Sequence, residues 1–157
     1  MNYGDATGYK AYHEARGRTI TDSDDVITQK LLAGSEWIDA MYGNRYQGTK
    51  VGQRDQVLGW PRVGAVDRDG YAVSSETVPV EIINATYEAA FRSGNLFKDY
   101  TPGKYSRVVI TGSIDVTYRD VDALDLQIQS PIIGAILDSL LGGHQALSGL
   151  SGKVVRA

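Results

Sequence analysis

The chain has 157 residues, a formal charge of −3, two histidines and no cysteine. That length fits one domain, which buries about 68–70% of its unfolded surface without needing staples, and the missing cysteines exclude a disulfide scaffold, thiolate metal sites and a cysteine nucleophile. No apolar run reaches the roughly 20 residues that span a bilayer, the polar start Met1-Asn2-Tyr3-Gly4-Asp5 lacks the features of a signal peptide, and the mild acidity argues against nucleic acid as the main partner. A soluble protein made in a cytoplasm is expected. Ten tyrosines against two phenylalanines favour rings with one apolar and one wet end, which suits contact surfaces as well as cores.

Residues 8–16 predict a short helix ended by Gly17. Ser23 is a good N-cap for the next, with Asp24 and Asp25 in the first turn where the helix dipole favours negative charge. Ile27, Leu31, Gly34, Ile38 and Met41 then repeat at helical spacing, Trp37 and Tyr42 widen the face, and Gly43 stops it. Residues 44–78 form a connection too long to be idle. Within it, Leu58-Gly59-Trp60-Pro61-Arg62 is built to fix backbone shape: Trp60 is a large anchor, and Pro61 locks its own φ and keeps Trp60 out of helical space. Asp69-Gly70 is a tight-turn dipeptide followed by Tyr71. Trp60, Tyr71 and the turn residues predict a packed loop.

Pro79 opens a helix to about Arg92 at its first position, with Val80, Ile83, Tyr87 and Phe91 as one stripe and Ala85, Ala89 and Ala90 permitting close approach; Ser93-Gly94-Asn95 ends it. From Val108 to Tyr118 the period changes to two, giving a half-buried strand or a hairpin bent at Gly112. Ser130 and Pro131 cap a last helix carrying Ile132, Ile133, Ile136, Leu137, Leu140 and Leu141, which Gly142-Gly143 terminates. The tail from His144 spaces Leu147, Leu150, Val154 and Val155 among Gly and Ser. It can dock on the parent domain or insert into a partner, for example as an added strand.

Chemistry-bearing patterns fail one by one. His13 and His144 lie beside no Gly-x-Ser-x-Gly elbow; His13 reads as a surface residue of a short helix. Asp67-x-Asp69-Gly70-x5-Glu76 matches four positions of an EF-hand loop, but Ala65 stands at the first ligand position and Pro61 and Gly64 deny the entering helix. Asp67 and Asp69 are instead expected on turn amides. Gly152-Lys153 lacks the glycine and the hydroxyl residue of a phosphate loop. Asp24/Asp25 and Asp122/Asp125 read as capping and solvated surface. Arg45, Lys50, Arg54, Arg62 and Arg68 gather in or beside the loop that holds Tyr46, Trp60 and Tyr71; such a loop can grip a single strand of nucleic acid or serve as a protein interface, the reading the net negative chain favours. No enzyme, metal or cofactor is predicted.

Six segments in order, 12–17, 33–42, 58–62, 67–71, 78–90 and 112–118, resemble the head–tail connector (adaptor) proteins of tailed bacteriophages, a family in which some sequences carry the label DnaT-like single-stranded DNA-binding protein. The likeness covers roughly residues 8–141. It implies a structural virion protein, assembled in the host cytoplasm, that rings the portal at the head–tail junction and completes the head. Such adaptors are typically dodecamers whose C-terminal segment engages the portal, so the resemblance makes Leu147, Leu150, Val154 and Val155 candidate portal contacts. Its partners would be its own copies, the portal, and a tail or second connector protein, with packaged double-stranded DNA passing through unread and no membrane involved. A ring closes through heterologous contacts, so each subunit would show two different adhesive faces. The fold expected is mainly α: a small helical bundle over 1–143 with a long packed loop and a protruding β element at about 105–119, then an extended tail over 144–157. Trp60, Pro61, Arg62, Asp69, Gly70, Tyr71 and Pro79 are the residues expected to shape the loop. The rival function is single-stranded DNA binding in phage replication.

Overall fold

A computed structural model describes residues 1–96, 107–110, 114–117 and 130–142, with side chains at 1–94 and 130–142. These residues are mainly helical. Helix α1 (Ala6–Glu14) starts two residues before the predicted point because Asp5, not a later residue, caps it: the Gly8 N–H donates to Asp5 Oδ1 at 2.9 Å. At its other end Gly17 has φ +70°, and the Arg18 N–H returns to the His13 carbonyl at 3.0 Å. Helix α2 (Asp24–Tyr42) runs from Ser23 to Gly43 as predicted, burying Ile27, Leu31, Gly34, Trp37, Ile38 and Tyr42. Gly43 ends it without a left-handed turn; its φ is −57° and a 3-10 turn, Gly43–Arg45, follows.

Helix α3 (Val80–Phe91) is antedated by Pro79, which is the N-cap and not the first helical residue. Its carbonyl accepts the N–H groups of Ile82 and Ile83. The predicted stripe is corrected: Val80 and Phe91 are exposed, and the buried face is Ile82, Ala85, Thr86, Ala89 and Ala90, with Tyr87. Small residues, not large ones, set this contact because α2 and α3 nearly touch at their backbones. A Cβ built on Gly34 would lie 3.1 Å from both Ala90 N and Thr86 O. Nor do Ser93-Gly94-Asn95 end the helical path, since they begin a further turn, α4 (Ser93–Leu96).

Helix α5 (Pro131–Leu137) has Ser130 at its N-cap and Pro131 in its first turn, as predicted, but stops before Leu140 and Leu141. Those two are buried in the turn that follows, and Leu141 bridges to Tyr46. One core joins α2, α3, α5 and the long loop; a second, smaller one, Tyr9, Ile27, Leu31, Tyr87 and Ala90, holds α1. Burying aliphatic and aromatic side chains contributes about 1.5–3 kcal/mol each, and this is what fixes the helices against one another.

The loop 44–78 is internally packed. Strands β1 (Thr49–Lys50) and β2 (Arg62–Val63) pair antiparallel, and Val66 bridges Ala72 across the Asp67–Gly70 turn. Trp60 is 2% exposed and stands against Tyr46, ring centroids 5.6 Å apart; the Trp60–Pro61 bond is cis. Tyr71 corrects the expectation of packing, being 72% exposed, since a tight turn needs only backbone at that position. Strands β3 (Arg107–Ile110) and β4 (Ile114–Thr117) form an antiparallel hairpin with Val108 opposite Val116 and Ile110 opposite Ile114, as the period-two run predicts. Gly112, Asp122, Asp125, His144 and the tail positions Leu147, Leu150, Val154 and Val155 lie outside the described residues.

Candidate functional site

The best-built polar feature lies where the N-terminus, α2 and the loop meet. Asp39 sits in the last turn of α2, where the helix dipole disfavours a carboxylate. It is held there by tertiary donors: the Tyr3 hydroxyl donates to both oxygens at 3.0 and 2.9 Å, and the Gly59 N–H donates to Oδ2 at 2.6 Å. The Tyr3 hydroxyl in turn accepts from the Trp60 N–H at 2.9 Å. Burial raises the Asp39 carboxyl above its ordinary range, against these donors and the Lys50 charge. Burial, then the Asp39 charge, pushes the Tyr3 phenol far up, so it stays a neutral donor. Gly59 is glycine for space, since a Cβ there would meet Asp39 Oδ1 at 2.7 Å and the Tyr46 ring at 2.9 Å.

Two adjoining hollows open beside this network. One is lined by Asp39, Gly43, Tyr46, Lys50, Val57, Gly59 and Arg62; the other by Gly48, Thr49, Lys50, Gln53 and Arg62. Lys50 and Arg62 belong to both, because the β1–β2 register places them opposite each other. Both cations also brace the loop. Arg62 Nε donates to the Gln47 carbonyl and its Nη2 to that of Gly48, each at 2.6 Å, and Nη1 reaches the Gly59 carbonyl at 3.2 Å. Lys50 Nζ donates to the Gln56 carbonyl at 2.9 Å. Arg54 is exposed on the 3-10 turn Gln53–Asp55 between the strands, with the exposed Asp55 next to it.

The structure thus divides the sequence candidates. Trp60, Pro61 and Arg62 lie together as loop architecture. Gly70 is left-handed, φ +88°. Asp67 organises the turn, its Oδ1 accepting from the N–H groups of Asp69 at 3.0 Å and Tyr71 at 2.8 Å, which is the turn-amide role expected of it; no such bond is seen for Asp69. Arg68 is not with the other loop cations; it pairs with Asp138 beyond α5. Among the described residues no group of three or more acidic or histidine side chains is placed to hold a metal ion, and no helix is long and apolar enough to cross a membrane. His13 corrects the surface reading, since it is fully buried. Sequence reasoning missed Tyr3 and Asp39; an aspartate in the final turn of an amphipathic helix was the available signal.

These features define a small helical domain with a loop-built cationic face and a separate β-hairpin. The family model described as "Putative DnaT-like ssDNA binding protein" matches residues 2–157, and the chain belongs to that family. The family's description carries no head–tail connector identity. No curated protein and no solved structure matches the chain.

Proposed function

We propose that this protein binds single-stranded DNA without catalysis, the strand's phosphates lying along the hollows that share Lys50 and Arg62 and passing exposed Arg54. The carrying observation is that shared pair of cations in a concave, loop-built face; the family description supports the same reading. Because Tyr46 and Trp60 are turned into the core, bases find no stacking platform there, and Tyr71 is the exposed loop ring. Binding is therefore mainly electrostatic and indifferent to sequence. Anisotropy titrations of labelled oligo-dT against salt test this. Three neutralised phosphates give a slope of log K on log salt near about −2, and Arg54→Glu reduces it. No measurable affinity at low ionic strength overturns the reading.

A second reading, the head–tail connector ring, is favoured by a different observation. Trp60 and Arg62 of the long loop serve the loop itself: Trp60 is in the core and Arg62 is tied to three carbonyls. A loop so braced suits a rigid protein-contact surface. On this reading the protein is a component of finished particles, and deleting residues 144–157, with the candidate contacts Leu147, Leu150, Val154 and Val155, abolishes portal attachment while leaving the domain folded. Imaging and mass spectrometry of purified particles distinguish the two.

A further inference from the structure

His13 has no part in either reading, yet its side chain has no exposure to solvent. Its ring is packed by Tyr9 and Tyr12 of its own helix, with centroids 4.5 and 5.1 Å away, and by Phe91 of α3 at 4.8 Å. Nε2 lies 3.2 Å from the Tyr87 carbonyl, and Nδ1 lies 3.1 Å from Arg18 Nη1. A carbonyl only accepts and a guanidinium only donates. The ring is therefore fixed as the neutral tautomer, with its proton on Nε2 and a lone pair on Nδ1.

The same Arg18 Nη1 donates to both oxygens of buried Glu88 at 3.0 and 3.1 Å, and its guanidinium lies 4.7 Å from the Phe91 ring centre. Glu88 also receives Arg92 and the Tyr12 hydroxyl, the latter at 3.2 Å, while Arg16 stacks on Tyr12 at 3.4 Å. The groups around the imidazole are thus Tyr9, Tyr12 and Arg16 from α1 and its end, Arg18 from the next turn, and Glu88 and Arg92 from α3. Arg18 is the link that ties the end of α1 to α3 through both His13 and Glu88.

We infer that His13 is a proton-operated latch: its protonation expels Arg18 and loosens α1 on α3. A proton on Nδ1 sets an N–H against the Arg18 N–H at hydrogen-bond distance, two donors and two positive charges facing each other. One must leave. His13 is walled in, whereas Arg18 is partly exposed and has a path to water. Glu88 keeps Arg92, so α3 remains intact. Helix α1 then keeps its Tyr12 hydroxyl on Glu88 and its His13 Nε2–H on the Tyr87 carbonyl, each at 3.2 Å, the small apolar cluster around Tyr9, an exposed Lys10–Asp24 pair, and the contact of the Asp5 N–H with the Tyr87 hydroxyl at 3.5 Å, but its end has lost the ion-paired tie to α3. Its loosening gives water access to Ile27, Leu31, Tyr87 and Ala90. Burial, outweighing the Tyr87 carbonyl and the Glu88 charge, holds the imidazole pKa below its ordinary value, so the latch is closed at neutral pH and opens in acid.

Hydrogen exchange of the full-length protein between about pH 8 and about pH 5, corrected for intrinsic rates, tests this. Protection of Ala6–Glu14 falls by up to about tenfold per pH unit where opening takes up one proton, while α2 and α3 keep theirs. His13→Gln removes the pH dependence. Should that variant not fold, Arg18→Met serves: it loosens α1 at every pH and raises the His13 titration midpoint read by NMR. Protection of α1 that is independent of pH, loss across all helices together, the same loss in His13→Gln, or an unshifted midpoint in Arg18→Met overturns the proposal.

Discussion

Tyr3 shows how one hydroxyl organises three segments. It donates to Asp39 of α2 and accepts from the Trp60 N–H of the loop, so the N-terminus is bonded to residues 36 and 57 positions away. Tyr3→Phe keeps the ring but leaves a buried amide and a half-satisfied carboxylate, which costs about 1–3 kcal/mol; urea denaturation will show it as a lower midpoint with an unchanged slope. Trp60→Ala removes the loop's anchor from the core. A loss of about 3–5 kcal/mol is expected, and a change below about 0.5 kcal/mol, typical of surface substitutions, would mean that the indole is not packed as described.

Among elements, the α2–α3 contact depends on what is missing at Gly34. Alanine is the better helix former by about 1 kcal/mol, but here its Cβ would press on the α3 backbone at Thr86 and Ala90, which cannot yield as a side-chain tip can. Gly34→Ala therefore lowers Tm, with overpacking costing about 1–3 kcal/mol. Gly43→Ala is the control. It has a right-handed φ of −57° and no neighbour within 4 Å of a built Cβ, so it stabilises by about 0.4–1 kcal/mol. Calorimetry of the two variants should give shifts of opposite sign. The boundaries of α2 and its core face are legible from spacing and caps. The buried face of α3 is legible in part: Ala85, Ala89 and Ala90 do permit the close approach expected of them, but the stronger hydrophobic signal of Val80 and Phe91 misleads, since the fold leaves both exposed.

At the scale of the whole molecule, two groups of one cluster make stability fall in acid, while the raised Asp39 carboxyl works in the opposite sense at lower pH. His13 is depressed from 6.5, chiefly by burial. Glu88 is depressed from 4.5: burial raises it, but the hydrogen bond and charge of Arg92 and then Arg18 overrule that. In both cases the unfolded chain takes up protons first, so stability falls as pH falls. His13's contribution is complete above its ordinary value and is lost as pH drops through its lower folded value. The Glu88 contribution is lost further down, below 4.5. Thermal denaturation against pH is expected to decline in two stages, and His13→Gln should abolish the first alone.

The order of residues by itself determined what depends on near neighbours: where α2 begins and ends, that Pro131 starts a helix, that Gly70 turns the chain, and that Arg107–Ile110 and Ile114–Thr117 are strands. It also carried the DnaT-like family label, through segments whose order is specific even though each is weak alone, but the family match does not extend to the head–tail connector identity. Tertiary structure alone decided the fate of the charged and aromatic side chains. Arg62 binds carbonyls from Gln47 to Gly59, His13 is sealed between α1 and α3, and Asp39 is matched by donors from Tyr3 and Gly59. The reason is physical: propensity and periodicity act over one or two turns, whereas the desolvation of a polar group is set by whatever the fold brings against it from far along the chain.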